Sequence, residues 1–339
     1  MNIVLIVPTG LGCEIGGHAG DANPVAKLLG SCCDKLILHP NVVNASDINE
    51  MPPNAIYVEG SVLDRFLEGE IGLKELQSGC NRVLVAVNSP LRNETVNTVS
   101  AARVTIGLDA EIVVLETPFV MIATKAEDGR ATGEVRGHEQ LVEQVRDYDF
   151  DALAIVTPIM IEKEVALNYL RNGGVNPWGG VEARASRLVA DALNKPVAHA
   201  PMAEKPVTFI PPPQDTLAGF NEIIDPRMAA EVVSVCYVHC VLKGLHRAPR
   251  IVDTSEGLNV GDVDCLVTPV GCIGRPHRAC MARGIPIIAV EENRSCLNQR
   301  SDEFIYVENY LEAAGLLMAM KSGVSPASIR RPVQDTKIH

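Results

Sequence analysis

Four times in this chain an apolar run of strand length stops at a proline beside Thr or Ser. The copies are Val4-Leu-Ile-Val-Pro-Thr-Gly10, Val83-Leu-Val-Ala-Val-Asn-Ser-Pro90, Ala152-Leu-Ala-Ile-Val-Thr-Pro158 and Cys265-Leu-Val-Thr-Pro-Val-Gly271. A run of four to six β-favouring residues closed by Pro and Gly reads as a buried strand turning sharply into a loop. In open α/β sheets, ligands sit beyond the carboxyl ends of such strands. The pattern therefore predicts where a site lies, without naming a reaction.

At 339 residues the chain can bury a large core, and its length suggests two lobes. Aromatics make up only 4%, so that core must be built from Val, Ile, Leu and Ala, as parallel sheets covered by helices prefer. The net charge of −12 works against nucleic acid or anionic lipid as a partner, since both need a cationic footprint. No run reaches the ~18 apolar residues of a membrane span. The apolar start ends at Pro8 without a basic segment before it, which argues against a signal peptide. Ten cysteines scattered through an α/β pattern read as reduced thiols, so a cytoplasmic protein is expected.

Between the four copies, strand and helix patterns alternate. Alternation with right-handed crossovers implies mostly parallel sheets. The expected fold is α/β, with two Rossmann-like lobes of mostly parallel sheet and a cleft between them. Residues 1–135 form a Gly-rich N-terminal lobe, 136–325 a C-terminal lobe and 326–339 a tail. The polar, glycine-bearing stretch from 125 to 140 reads as a hairpin or lobe boundary. Asp225 and Pro226 open a long helix that Gly244 would stop. Tyr57-Val-Glu59 and Tyr306-Val-Glu308 fall at similar offsets in the first and last βαβ runs, an echo that two facing lobes of one design would produce.

The loop from Thr9 to Asp21 holds Gly10, Gly12, Gly16, Gly17 and Gly20. Such a loop can present several backbone N–H groups to an anion at close range. Its spacing misses the dinucleotide fingerprint by one residue, and no Lys-Ser/Thr follows as in a phosphate-binding P-loop. A phosphate or nucleotide, a small carboxylate and a purely structural turn all remain open. His18, Asp21, His39, Asn41 and Asn44 could reach the same rim. His39 is the candidate general base, since its ordinary pKa of ~6.5 suits proton transfer. Asp21 is either its partner or a cap on the first helix.

The second rim is Thr268-Pro-Val-Gly-Cys272-Ile-Gly-Arg275-Pro-His277-Arg278. A thiol at a helix N-terminus beside cations would have a lowered pKa and act as a nucleophile. Cys272 is that candidate, or else a filler in a tight turn. Arg275 can clamp a carboxylate or phosphate with its fork. Cys236, His239 and Cys240 share one helical face without matching a structural zinc pattern. No metal ligand set is assigned, and one divalent ion, drawing on His39, His199 and His277, stays an alternative.

Ile6-Val-Pro-Thr-Gly-Leu-Gly12, Ile15-Gly-Gly-His-Ala-Gly-Asp-Ala22, His39-Pro-Asn-Val-Val-Asn-Ala45 and Asn54-Ala-Ile-Tyr-Val-Glu-Gly60 resemble an uncharacterised bacterial and plastid family, domain of unknown function 3326. The resemblance extends to Leu63-Asp-Arg-Phe66, Ala248-Pro-Arg250 and Arg283-Gly-Ile-Pro-Ile-Ile-Ala-Val-Glu-Glu-Asn293, and departs where Gly274-Arg275-Pro276 stands in place of Gly-Gly-Pro. It implies no activity.

The expected function is an enzyme on a small anionic metabolite, carboxylate- or amide-bearing. It would work by acid–base or thiol chemistry without a redox cofactor, as an isomerase, hydrolase or lyase. His39, Asp21 and Cys272 would be catalytic. Thr9, Gly10, Gly12, Gly16, Gly17, Asn41, Asn44, Thr268, Arg275 and Asn293 would bind substrate. The expected partners are a small-molecule ligand and further copies of the chain. The alternatives are a metal-dependent hydrolase and a non-catalytic nucleotide or metabolite sensor.

Overall fold

The four repeated segments become the inner strands of two sheets. The structure is a computed structural model that describes residues 1–17, 20–43, 50–202, 237–333, 335–336 and 338. In the first sheet, β1 (Asn2–Leu5) pairs in parallel with β12 (Cys265–Pro269). Beyond β1 lie β2 (Lys35–Leu38) and β3 (Ala55–Tyr57); beyond β12 lie β13 (Ile287–Val290) and β14 (Phe304–Val307). The order β14-β13-β12-β1-β2-β3 is wholly parallel and reverses direction at the β1/β12 pair. That is the doubly wound order, and the reversal is its switch point.

Each inner strand is a continuous apolar run because both faces are covered. Ile3 and Leu5 lie on one face, under α1 (Asn23–Gly30) and α9 (Tyr310–Lys321). Val4 and Ile6 lie on the other, against α2 (Gly60–Leu67) and α8 (Arg275–Arg283). Burying a Val, Leu or Ile side chain contributes about 1.5–3 kcal/mol.

The second sheet is built around β5 (Arg82–Asn88) and β9 (Ala152–Met160), the other two copies, which also pair in parallel. β6 (Asp109–Leu115) flanks β5, and β10 (Val197–Met202) flanks β9. β7 (Val120–Lys125) and β8 (Ala131–Arg136) form an antiparallel hairpin beyond the end of β9, where a hairpin was expected. Its helices are α3 (Asn93–Ile106), α4 (His138–Val145), α5 (Lys163–Asn172), α6 (Gly179–Leu193) and α7 (Tyr237–Arg247). A small ribbon of β4 (Gly72–Lys74) and β11 (Arg250–Val252) and a short α10 (Pro326–Ile329) complete the elements used below.

The α/β architecture with two large, mostly parallel sheets is as expected, but the sheets group the chain differently from the expected division. Residue 135 falls inside β8. The first lobe takes its strands from both ends of the chain, and the second from the middle. Parallel pairing explains this, since a late strand can join an early one at no topological cost. The echo of Tyr57-Val-Glu59 and Tyr306-Val-Glu308 has the same source. The triplets begin inside β3 and β14, the two edges of one sheet rather than two lobes. The helix expected to stop at Gly244 runs on to Arg247, while its proposed start at Asp225 lies outside the described residues. A Cβ at Gly244 would stand 2.7 Å from the Tyr57 ring, so the position is small because a ring crosses it.

Candidate active site at the strand carboxyl ends

The loops after β1 and β12 flank the switch point, where an open α/β sheet places its ligand. Both are the rims singled out in the sequence. The structure packs them against protein. Gly10 has φ +74, and a Cβ there would meet the Gly180 backbone of α6 at 3.1 Å and Ala131 of β8 at 3.2 Å. The Ala131 N–H donates to the Gly10 carbonyl at 2.9 Å. Gly12 lies against Val175, Gly16 against Val7 and Gly17 against the Cys13 carbonyl. Close approach is what these glycines supply, and the second lobe and the loop itself are what approach.

Side chains then lock the loop. The Asp21 carboxylate accepts from the Gly16 N–H at 2.6 Å rather than capping α1. Asn293 is fully buried, accepts from the Ile15 N–H at 2.9 Å, and donates to the Ile15 carbonyl at 2.8 Å and the Tyr310 hydroxyl at 2.7 Å. His18 and Asn44 lie outside the described residues.

The second rim is equally filled. Cys272 is 3% exposed, and burial pushes its thiol up to about 11, the reverse of the lowered pKa expected for a nucleophile. The helix N-terminus nearby does not offset the loss of water. Arg275 is held by Glu68, its Nε donating to Oε1 at 2.7 Å and its Nη2 to Oε2. Its fork is thus occupied within the chain. Thr268 is fully buried and accepts from the His277 Nε2–H at 2.9 Å. The Gly274 N–H donates to His277 Nδ1 at 3.0 Å, which fixes the proton on Nε2. Burial, aided by the Arg278 charge, lowers the His277 pKa to about 4.

One cluster keeps open chemistry. At the ends of β1 and β2, Asn41 Nδ2 donates to the Val7 carbonyl at 3.1 Å and to Thr9 Oγ1 at 2.7 Å, while its backbone N–H donates to His39 Nδ1 at 3.3 Å. Thr9, His39 and Asn41 are therefore brought together. With Nδ1 accepting, the neutral ring carries its proton on Nε2. Burial lowers the His39 pKa to about 4 and keeps the ring neutral. A Cβ at Gly60 would stand 2.7 Å from Nε2, so the ring faces the first residue of α2.

Glu59, the residue before that helix, was not singled out in the sequence. It is 7% exposed, its Oε1 has no hydrogen-bond partner, and burial lifts its pKa to about 8 against the opposing hydrogen bond from Tyr57. Ser61, also 7% exposed, has an unpartnered Oγ one residue further into the first turn. No side chain caps α2. An uncapped helix start leaves N–H groups unsatisfied and carries a partial positive charge, the setting that favours an anion. The visible signal was a carboxylate placed directly between a strand and a glycine, in Tyr57-Val-Glu-Gly60.

In the second lobe, His199 joins Thr157 to Glu182. Its Nδ1 lies 2.9 Å from Glu182 Oε1, and its Nε2 lies 3.1 Å from Thr157 Oγ1 and 3.0 Å from the Thr157 carbonyl. Thr157 and the His199 side chain are fully buried, and Glu182 is 23% exposed. Among the described residues no group of three or more His, Cys, Asp and Glu is placed to hold a metal ion, and Cys236 of the expected helical trio lies outside them. The nine described cysteines are free thiols.

A family profile described as "Protein of unknown function (DUF3326)" matches residues 2–330. The chain belongs to this family. It is 36% identical over 350 aligned positions to a protein named "Uncharacterized lipoprotein" in Synechococcus sp. (strain ATCC 27144 / PCC 6301 / SAUG 1402/1), covering 97% of this chain and 93% of that one. No solved structure matches. The relative's name corrects the expectation of a cytoplasmic protein, because a lipoprotein is membrane-anchored. The thiol argument behind that expectation speaks only of disulfides, which leaves anchoring untouched. Among the described residues no helix is long and apolar enough to cross a membrane.

Proposed function

We propose that the chain is an enzyme that moves a proton on a small anionic metabolite, carboxylate- or amide-bearing, as an isomerase, lyase or hydrolase without a redox cofactor. The observation that carries this reading is Glu59. A buried carboxyl with one unpaired oxygen stands at the uncapped start of α2, and burial lifts its pKa to about 8. A carboxylic acid kept protonated near neutral pH can donate a proton or a hydrogen bond there. The first-turn N–H groups of α2 and the Ser61 hydroxyl would hold the anionic group.

His39 takes a different role from the base expected of it. An imidazole with a pKa of about 4 is a weak base. Its Nε2–H is a neutral donor, suited to charge that develops on a substrate oxygen. The thiol branch loses support, since Cys272 is enclosed and its pKa is raised. The relative's name adds a membrane-anchored setting, which a lipid group provides without a spanning helix.

The test is incubation of the full chain with a panel of small carboxylates and their amides in heavy water, read by mass spectrometry. Proton-transfer chemistry predicts deuterium exchange or a product for one of them, lost in Glu59→Gln while ligand binding stays measurable. Binding without exchange or product, unchanged in Glu59→Gln, would replace the enzyme with a metabolite sensor.

A further inference from the structure

Helix α2 begins beside Glu59, and its last turn borders a different feature. There Arg65 lines a cavity of about 410 Å³, together with Asn194 at the end of α6 and the chain around the β4–β11 ribbon. Arg65 Nε donates to Glu70 Oε2 at 3.3 Å and Nη2 donates to Asn194 Oδ1 at 2.9 Å, while Nη1 is closed off from water and has no partner. A buried guanidinium N–H without an acceptor costs free energy that an incoming oxygen would recover. The long bond to Glu70, whose side chain is 54% exposed, is the weak side of this enclosure.

Two carboxylates line the same cavity, Glu70 and Asp253. Asp253 spends Oδ1 on the Ser255 N–H at 3.0 Å and hydroxyl at 2.8 Å, which leaves Oδ2 for a further donor. The carbonyl end of α6 adds partial negative charge, and Lys195 just beyond it is turned away to the Phe150 carbonyl. A lone anion entering here would meet two carboxylates, and a lone cation would meet the guanidinium. A molecule that carries both charges satisfies all three groups.

We propose that this cavity binds a small zwitterion with an aliphatic body, of the kind of a branched α-amino acid. Its carboxylate takes Nη1 and Nη2 of Arg65 end on, and its ammonium takes the free oxygens of Glu70 and Asp253. Ile71, which is buried, and the half-buried Ile251 and Val252 line the cavity and cover the side chain. The volume falls toward the low end of the ~300–1,000 Å³ of ligand pockets, which suits one such molecule. This site and the one at Glu59 share a helix and no residue.

Isothermal calorimetry of the full chain with L-leucine, 3-methylbutylamine and 4-methylpentanoate tests this. Leucine should bind, and the amine and the acid, which each lack one of its charges, should bind at least tenfold more weakly. Arg65→Gln and Asp253→Asn should each weaken leucine at least tenfold. Asp253→Asn keeps the acceptor for Ser255, so the turn is retained and the reading does not depend on Arg65→Gln folding. Glu59→Gln should bind leucine as the wild type does. No binding of leucine up to about 10 mM would overturn the proposal. So would equal binding of the amine or the acid, or binding indifferent to Asp253→Asn. Binding lost in Glu59→Gln and kept in the other two variants would move the molecule to the start of α2 and overturn it equally.

Discussion

Two strands carry the same Val-Thr-Pro triplet, β9 at Thr157 and β12 at Thr268, and in each the threonine meets a buried histidine. What stands behind the histidine differs. His277 receives the Gly274 N–H on Nδ1, so that nitrogen must stay unprotonated. His199 turns Nδ1 toward the Glu182 carboxylate, so a proton belongs between them. One motif thus serves a neutral strut in the first lobe and a charge-assisted tie in the second, where Glu182 clamps α6 to β10 through the ring. Which ring nitrogen carries the proton is set by the group behind the ring, three positions away at His277 and seventeen at His199. His39 follows the His277 pattern, with a backbone N–H on Nδ1 and a pKa of about 4.

The sharpest way to break the comparison is to remove each ring. His277→Leu takes the acceptor from the Gly274 N–H and the donor from the Thr268 hydroxyl in the core and should cost about 3–5 kcal/mol in denaturant unfolding. His199→Leu should cost less, about 2–3 kcal/mol, because Glu182 is 23% exposed and can turn to water. Equal losses would mean that the two pairs do not differ.

The two pairs should also part company in acid. The folded pKa of His277 lies below its unfolded value of 6.5, so the unfolded chain binds its proton more readily. Stability from this residue is whole above pH 6.5 and is lost as the pH falls toward about 4, by roughly 3 kcal/mol in all. Urea titrations from pH 7 to 4 should show this loss in the wild type and in the His199 variant, and a loss smaller by this amount in His277→Leu, where His39 still contributes its own.

Glu59 has the opposite sign. Its folded pKa of about 8 exceeds the ordinary 4.5, so the folded state holds the proton and stability declines as the pH rises between those values. Glu59→Gln should therefore stabilise the chain, by roughly 3 kcal/mol at pH 7, while removing the proposed activity. Unfolding at pH 5 and pH 8 checks it, and a stabilisation over the wild type no larger at pH 8 than at pH 5 counts against a protonated Glu59. The smallest effect is expected from Glu182→Gln. It keeps the shape of the tie and removes its charge, at about 1 kcal/mol, whereas no substitution behind His277 can be made because a backbone amide stands there.

Elements whose cause is local were readable from sequence. The four apolar runs closed by proline follow from their length and composition and stand as β1, β5, β9 and β12, and the polar stretch from 125 to 140 lies over the β7–β8 hairpin. The two rims do follow parallel strands, but β1 and β12 are neighbours in one sheet rather than strands of two facing lobes. Their contents were not readable, because glycine looks the same whether a ligand or another helix approaches it. Gly10 is small for Gly180, and Gly60 for the His39 ring. Cys272 and Arg275 were judged by their sequence neighbours, whereas burial sets the thiol and Glu68, 207 positions away, occupies the guanidinium. The carboxyl of greatest interest, Glu59, gains its character from enclosure, which no spacing announces.

Because β1 pairs with β12, the two lobes mature at different moments of synthesis. The strands of the second sheet all lie between residues 82 and 202 and α7, which covers one of its faces, ends at Arg247, so that lobe can close before the last strands of the first sheet are translated. The first sheet has to wait. Until residue 265 leaves the ribosome, β1 exposes an open edge of parallel strand, the kind of edge that invites pairing with other chains. Nascent chains stalled before that point should depend on chaperones, and those released after it should not.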